Sequence, residues 1–205
     1  MKKIYLARHG ESQWNVLKIV QGQKNIPLTN KGIKQAELLG KRLINEQIEK
    51  IYSSDLARAY DTAKIIGKII DVEVEPMKEF REINFGVWEG LSKNELLTKY
   101  RTEYEKWLKN PKDLILEGAE TLAELQERAL EGINKIINLN GDRYNNILIV
   151  SHSATIKVII LGLLGISLNN FKNLTLGNVS LSIIEYRNYN KVLKLFNNTD
   201  HVDLD

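Results

Sequence analysis

Two of the protein's three histidines come directly after short apolar segments of the kind that form buried strands. His9 lies just beyond residues 3–7, and His152 lies just beyond residues 146–150. The carboxyl ends of parallel strands meet at one edge of a sheet, so we expect the two imidazoles to lie close together. A neutral imidazole is a nucleophile, and a protonated or suitably tautomeric one donates hydrogen bonds. The pair therefore predicts a catalytic site at this edge.

Two arginines and a glutamate are expected at the same edge. Arg8 precedes His9, Arg58 stands near the start of a predicted helix, and Glu82 lies in a loop. Guanidinium groups match phosphate oxygens and favour the neutral form of a nearby imidazole, so His9 can attack phosphorus. His152 would donate hydrogen bonds to the charge that spreads over the phosphoryl oxygens, and a protonated Glu82 would supply a proton to the leaving alkoxide. These five side chains predict phosphoryl transfer.

This chemistry needs no metal ion, because the arginines and His152 can take the place of a cation. The sequence contains no cysteine, no His-x-x-x-His pair and no Asp-rich loop, so the common zinc and calcium signatures are absent. We therefore expect neither a metal nor a cofactor.

The segments that must position these residues alternate between strand-like and helix-like patterns. Residues 3–7, 50–53 and 146–150 predict buried parallel strands, and residues 181–184 and 192–196 predict a hairpin. Two amphipathic helices are indicated by apolar residues at helical spacing: Ile33, Ala36, Leu39 and Leu43 in the first, and Leu122, Leu125, Ala129, Ile133 and Ile136 in the second. Ser92 with Glu95, and Thr121 with Glu124, have the spacing of capping boxes at helix starts. We predict an α/β fold with a mostly parallel sheet between two helical layers.

Length and charge limit the other function classes. The 205 residues carry a net charge of +3 from 29 basic and 26 acidic side chains, with no linker or repeat, so we expect one domain over residues 1–205. This balance is too even for a dedicated nucleic-acid binder, and the apolar stretches are too short to cross a membrane. We expect a cytoplasmic protein whose partner is a small phosphorylated metabolite, and an association into homodimers stays open.

The segment around the first histidine resembles a known signature. Residues 6–15 read Leu-Ala-Arg-His-Gly-Glu-Ser-Gln-Trp-Asn, which is similar to the histidine phosphatase superfamily, the phosphoglycerate-mutase-like enzymes. Further segments follow in the family's order over nearly the whole chain: Gln21-Gly22, Pro27-Leu28-Thr29 with Gly32, residues 53–59 with Thr62-Ala63, Phe80-Arg81-Glu82, Gly86 with Trp88-Glu89-Gly90, and Val150-Ser151-His152. The resemblance implies a phosphoglycerate-mutase-like fold.

The resemblance also implies individual roles. His9 would become phosphorylated, while Arg8, Arg58 and His152 would hold the phosphoryl group and Glu82 would donate the proton. The implied substrate-binding residues are Arg8, Asn15, Gln21, Gly22, Arg58 and Ser153. Ser153 stands where members of the family commonly have glycine, so its hydroxyl would lie near the phosphate.

Several simpler interpretations of these residues remain open. The two arginines could form surface salt bridges, Asn15 could be a turn or cap residue, and Gln21 could be a plain loop residue. The proton could instead come from one of three other glutamates: Glu11, Glu79 or Glu89.

The family divides into phosphatases and mutases. Mutases of the family generally carry a longer, proline-rich segment after the glutamate region, whereas residues 82–120 contain a single proline. The sequence therefore resembles the small-phosphatase branch, including broad-specificity, α-ribazole and phosphoserine phosphatases, and a cofactor-dependent phosphoglycerate mutase is the alternative. A catalytically idle protein that binds a phosphorylated ligand is the alternative from another class.

We also expect residues 92–120, with Tyr100, Tyr104 and Trp107, to form a helical flap over the site.

Overall fold

A six-stranded sheet forms the centre of the computed structural model, which describes residues 2–141 and 143–202. Its strands are β1 (Lys2–Arg8), β2 (Lys50–Ser53), β3 (Val74–Pro76), β4 (Asn146–Ser151), β5 (Leu181–Tyr186) and β6 (Lys191–Asn198). They lie side by side in the order β3-β2-β4-β1-β5-β6. The first four strands of this order are parallel, and β5 and β6 are antiparallel additions at one edge. This confirms the predicted, mostly parallel sheet.

Seven α-helices accompany the sheet in the described part of the chain. They are α1 (Gln13–Leu17), α2 (Asn30–Leu43), α3 (Ala57–Ile70), α4 (Lys93–Lys99), α5 (Arg101–Lys109), α6 (Leu122–Asn140) and α7 (Ser153–Leu163). Ser92 and Thr121 each accept a hydrogen bond from the backbone N–H of the glutamate three residues later, so both predicted capping boxes are present. In this part of the chain no helix is both long and apolar enough to span a bilayer.

Alternating side chains of the central strands build one core on each face of the sheet. Ile4 and Leu6 of β1 pack in the cluster that contains the apolar faces of α6 and α7. Tyr5 and Ala7 point to the opposite face, where they pack with residues of α2 and α3. Burying one side chain such as Ile4 or Leu6 contributes about 1.5–3 kcal/mol to the free energy of unfolding. The two cores make the molecule a three-layer α/β/α structure, as predicted.

Some local predictions need correction. Ile33 was expected on the buried face of α2 but is 39% exposed, and Gly32 and Gln35 are buried there instead. The short edge strand β3 was not predicted, because its three residues give too little alternation to be distinguished from a loop. Neither difference changes the positions of the strands that carry the histidines.

The segment between Glu82 and α6 forms a small apolar cluster of its own. Trp88, Leu96 and Leu114 are buried in it, and the side chains of Tyr104 and Trp107 pack against them. The expected helices are present as α4 and α5. A flap motion of residues 92–120, and one domain over residues 1–205, stay predictions; positions 1, 142 and 203–205 of that range lie outside the described residues.

Candidate active site

The register of β1 and β4 brings the two histidines together. Arg8 lies opposite Ser151 in the parallel ladder, so the next residue of each strand, His9 or His152, leaves the sheet at the same point. The backbone N–H of His9 still donates to the Ser151 carbonyl, at 3.0 Å. The imidazole rings are 5.1 Å apart between centroids, and only 3% of His9 and none of His152 is exposed. Strand pairing therefore builds the predicted histidine pair.

A short hydrogen bond sets the tautomer of His9. Its Nδ1 lies 2.6 Å from the Gly10 carbonyl oxygen, which can only accept, so Nδ1 carries the proton. With the proton on Nδ1, Nε2 of His9 has the free lone pair that a nucleophile needs. The N–H of Gly10 donates to Thr62 Oγ1, which fixes the backbone here. Only glycine fits at this position, because a Cβ atom would lie 2.4 Å from the Gly32 carbonyl oxygen.

The ring of His152 contacts a serine hydroxyl. Ser54 Oγ lies 2.8 Å from Nε2 of His152 and also accepts the N–H of Leu56, so its own proton can be donated to that nitrogen. In this arrangement Nδ1 of His152 carries the proton, as in His9, and it is buried with no hydrogen-bond partner among the described residues. Burial and the positive charge of Arg58 lower the pKa of His152 well below its ordinary value. The residue is therefore a neutral hydrogen-bond donor rather than an imidazolium.

The two arginines lie beside the histidine pair rather than on the surface. Arg58 is 1% exposed, and its guanidinium donates to the carbonyl oxygens of Lys24 and Gly22, each at 2.8 Å. Arg8 donates to the Leu176 carbonyl at 2.6 Å. Burial, and then the charge of the neighbouring Arg8, leave the pKa of Arg58 at about 10, so it remains a cation near neutral pH.

Both arginines act on His9 electrostatically. Burial lowers the pKa of His9 well below its ordinary value, and the charges of Arg58 and Arg8 lower it further. The imidazole therefore stays neutral, as the sequence predicted from the neighbouring guanidinium groups.

Three buried nitrogen atoms in this cluster have no hydrogen-bond partner among the described residues: Nε of Arg8, Nε of Arg58 and Nδ1 of His152. The two arginine nitrogens are donors, and Nδ1 of His152 is a donor when Ser54 donates to Nε2. Leaving a buried donor unsatisfied costs about 1–3 kcal/mol or more, so groups of this kind need a specific explanation. All three belong to residues predicted to hold a phosphoryl group. A tetrahedral oxyanion beside His9 is a ligand that these donors suit.

Glu82 lies against the start of α7, next to His152. Its carboxylate accepts the backbone N–H groups of Ala154 and Thr155, at 3.4 and 3.3 Å, and the Thr155 hydroxyl at 3.2 Å. It also lines a cavity of about 370 Å³ together with Ser153 and Lys157. The glutamate can therefore reach a group bound in that cavity.

The three other glutamates considered as proton donors have different partners. Glu11 accepts the hydroxyl of Thr29, and Glu79 pairs with Lys135 at the surface. Glu89 accepts the backbone N–H groups of Gln23 and Phe85. These contacts hold loops and a helix end in place, which favours Glu82 as the acid.

Asn15, Gln21 and Gly22 contact residues that neighbour the histidines. Asn15 is the third residue of α1 and caps the helix through Ser12, as one interpretation of the sequence expected. The Oδ1 atom of Asn15 also accepts Asn178 Nδ2, at 3.3 Å, and Gln21 Oε1 accepts the Ser12 hydroxyl at 2.8 Å. Gly22 contributes the carbonyl that binds Arg58, with φ of +48°. Direct contact of these three residues with substrate stays a prediction.

Sequence reasoning missed several residues of the site. Asn178 donates to the carbonyl oxygen of His9, at 3.1 Å, and Val179 beside it has φ of +51°, a strained value for a β-branched residue. Lys157 was not singled out either. Ser54 and Thr62 belong to segments that resemble the family, but the sequence assigned them no role. Their positions, just beyond a strand end or inside a helix, are shared by many ordinary residues.

Comparisons with known proteins agree with this geometry. Residues 4–199 match the model of the histidine phosphatase superfamily (branch 1). Phosphoserine phosphatase 1 of Hydrogenobacter thermophilus is 31% identical over 98% of this chain and 95% of its own. A protein of Proteus mirabilis described as a probable phosphoglycerate mutase is 33% identical over 92% of this chain and 86% of its own. The crystal structure of a mutant Entamoeba histolytica phosphoserine phosphatase with phosphoserine superimposes with a TM-score of 0.86 and 33% identity, covering 98% of this chain and 99% of that one. The chain belongs to the histidine phosphatase superfamily.

The hydrogen-bond donors of the site suit an anionic ligand rather than a metal ion. Among residues 2–141 and 143–202, no group of three or more histidine, cysteine, aspartate or glutamate side chains is arranged to hold a metal ion. Independence of metals and cofactors stays a prediction, to be tested on the enzyme itself.

Proposed function

We propose that the protein hydrolyses small phosphomonoesters in two steps through a phosphohistidine on His9. The observation that carries this proposal is the group of three unpartnered buried donors around a histidine whose Nε2 is free. Such donors stabilise the charge that spreads over the phosphoryl oxygens as the bonds to phosphorus change.

In the first step, Nε2 of His9 forms a bond to phosphorus and the ester P–O bond breaks. The bonding electrons leave with the alkoxide, which takes a proton from Glu82. In the second step, Glu82, now a carboxylate, accepts a proton from water as the water oxygen attacks phosphorus. The P–N bond breaks, its electrons return to Nε2, and inorganic phosphate leaves with Glu82 protonated again.

Hydrolysis is favoured over transfer to a second hydroxyl. Residues 82–120 fold into the short helices α4 and α5 with only Pro111, so the longer proline-rich cover expected of a mutase is absent from this segment. The similarity to phosphoserine phosphatases over nearly the whole chain supports the same choice. An idle binding protein is disfavoured because it needs no proton donor, whereas Glu82 is held beside the histidines.

The finer parts of the proposal concern metal and location. The cationic and neutral donors replace a metal ion in charge stabilisation, so the reaction proceeds without one. The substrate is a small metabolite of the cytoplasm, and neither nucleic acid nor a membrane takes part.

The test is phosphate release from p-nitrophenyl phosphate and a panel of metabolite phosphates, with EDTA present throughout. We expect turnover that EDTA does not change, and little interconversion of 2- and 3-phosphoglycerate even with 2,3-bisphosphoglycerate added. Dominant interconversion would establish the mutase alternative, and binding without turnover would establish the idle protein.

A further inference from the structure

The cavity beside Glu82 has a charged end that the hydrolytic steps do not use. Its wall includes Ser153 and Lys157 of α7, the apolar side chains of Phe85, Trp107 and Phe171, and Lys172. If the phosphoryl group lies on His9 and the leaving oxygen meets Glu82, the rest of the substrate must extend into this space. The wall of the cavity therefore contacts the leaving alcohol.

Lys157 is held in a defined position inside this cavity. Its ammonium lies 3.9 Å above the centre of the Phe171 ring, and Phe171 is itself fixed by edge contact with Trp107 at 5.5 Å. Such a cation–π contact orients the side chain before a substrate arrives. Within the described ranges, no ion pair joins Lys157 to a carboxylate, and the carboxylate that acts on its charge is Glu82 in the same cavity. Once Glu82 is protonated, the charge of Lys157 is available to a ligand.

The distance along α7 matches a small substrate. Ser153 and Lys157 are four residues apart and therefore lie on one face of the helix, about 6 Å apart along its axis. Glu82 contacts the beginning of the same helix through Ala154 and Thr155. A group that binds Lys157 is therefore only a few covalent bonds away from the oxygen that Glu82 protonates.

The charge of the cavity wall determines which kind of substrate group binds Lys157. When Glu82 is protonated to act as an acid, the charged side chains left in the cavity wall are Lys157 and Lys172. Lys172 is exposed and donates to the Lys109 carbonyl at 2.7 Å, whereas half-buried Lys157 lies over the Phe171 ring and interacts electrostatically with Glu82. Burial lowers the pKa of Lys157 to about 8, so it still carries its charge near neutral pH and gains from a bound anion.

We propose that Lys157 selects phosphomonoesters whose leaving alcohol carries a carboxylate, by binding that carboxylate against the Phe171 ring. The inference rests on the proposed hydrolysis at His9 and adds to it the residue that determines specificity. The aromatic side chains beside Lys157 lower the local dielectric constant, which strengthens the interaction.

The test compares 3-phosphoglycerate with sn-glycerol 3-phosphate, which has a hydroxymethyl group in place of the carboxylate. The wild-type enzyme should have the higher kcat/KM on 3-phosphoglycerate. Lys157→Met keeps the apolar stem on Phe171 but removes the charge, and it should lower the ratio of the two kcat/KM values about 10- to 100-fold, the effect of one charged hydrogen bond. The loss should appear mainly in KM for 3-phosphoglycerate.

Lys68→Met is the matched control, because Lys68 is an exposed residue of α3 on the opposite face of the sheet, and the ratio should not change in this variant. Equal losses on both substrates in Lys157→Met, or an unchanged ratio, would overturn the inference. p-Nitrophenyl phosphate separates the two proposals: its hydrolysis without any preference for the carboxylate refutes only the role of Lys157. Absence of hydrolysis of all three substrates refutes the proposed function itself.

Discussion

At the scale of single residues, the site depends on which atoms carry protons. Two neighbouring imidazoles are both kept neutral by burial and by two guanidinium groups, yet they present opposite functions. In His9 the Gly10 carbonyl accepts the Nδ1 proton, which leaves the Nε2 lone pair free, whereas in His152 the Ser54 hydroxyl can donate to Nε2, which leaves the Nδ1 proton free to donate. One histidine can therefore attack phosphorus while the other donates to its oxygens.

In the first step, formation of the phosphoenzyme, Glu82 should matter only when the leaving group needs a proton. In Glu82→Gln, formation of the phosphoenzyme should slow by about 10²- to 10⁴-fold with an alkyl phosphate, the usual contribution of a positioned acid. The loss should be far smaller with p-nitrophenyl phosphate, because p-nitrophenolate departs unaided. Single-turnover measurements of the first step are needed, since hydrolysis of the intermediate can limit kcat.

Equal losses on both substrates would show that Glu82 orients the phosphate or supports the loop instead. The acid would then have to be sought at Glu11, Glu79 or Glu89.

At the scale of elements, α6 holds the loop that carries Glu82. The guanidinium of Arg128 forms two hydrogen bonds with the Glu120 carboxylate, at 2.6 and 2.7 Å. The same group donates to the carbonyl oxygens of Glu79, Arg81 and Glu82. Arg128 is thus a positioning residue for the acid, while Lys135 on the same helix pairs only with the Glu79 side chain at the surface.

Replacing Arg128 should reproduce part of the Glu82 phenotype. Arg128→Met should reduce the free energy of unfolding by about 2 kcal/mol, because several charged hydrogen bonds are lost. It should also slow phosphoenzyme formation more with an alkyl phosphate than with p-nitrophenyl phosphate, which a purely structural defect would not do. Lys135→Met is the control and should change neither quantity much. A loss of stability without any dependence on the leaving group would contradict the positioning role.

The sequence predicted the elements near the site better than the contacts inside it. Strands β1 and β4 are short runs of branched apolar residues, and this pattern alone placed His9 and His152 at one edge. Arg128, Ser54 and Asn178 could not be found in the same way. They act through backbone carbonyls or single polar atoms of distant segments, and only the folded chain brings these together. Ile33 was wrongly placed on the buried face of α2, because helical periodicity locates the edge of a buried face only to within about one residue. Gly32, the neighbouring residue, is the one that lies against the Glu11 backbone.

At the scale of the whole molecule, the neutral histidines tie stability to pH. The pKa values of His9 and His152 are lowered in the folded protein, so the unfolded chain binds more protons than the native chain below about pH 6.5. Stability should therefore fall as the pH drops below that value, by up to about 1.4 kcal/mol per pH unit for each histidine. Carboxylates such as Asp55, whose pKa is lowered by Arg81, reduce the free energy of unfolding further only as the pH approaches about 4.

Urea unfolding between about pH 7.5 and about pH 5 measures this dependence. The variant His9→Gln, His152→Gln should lose markedly less stability over this interval than the wild type. If both proteins show the same slope, the histidines are not held neutral in the native state.

Trapping the phosphoenzyme tests the central claim most directly. The enzyme is mixed with a labelled phosphomonoester for milliseconds, quenched with base, digested and mapped by mass spectrometry, with His9→Ala treated in parallel. The two-step mechanism predicts a phosphoryl group that is stable to base and labile to acid, on the peptide containing His9 and absent from the variant, which should have lost turnover as well. Label on another residue, or substantial turnover in His9→Ala, would contradict it.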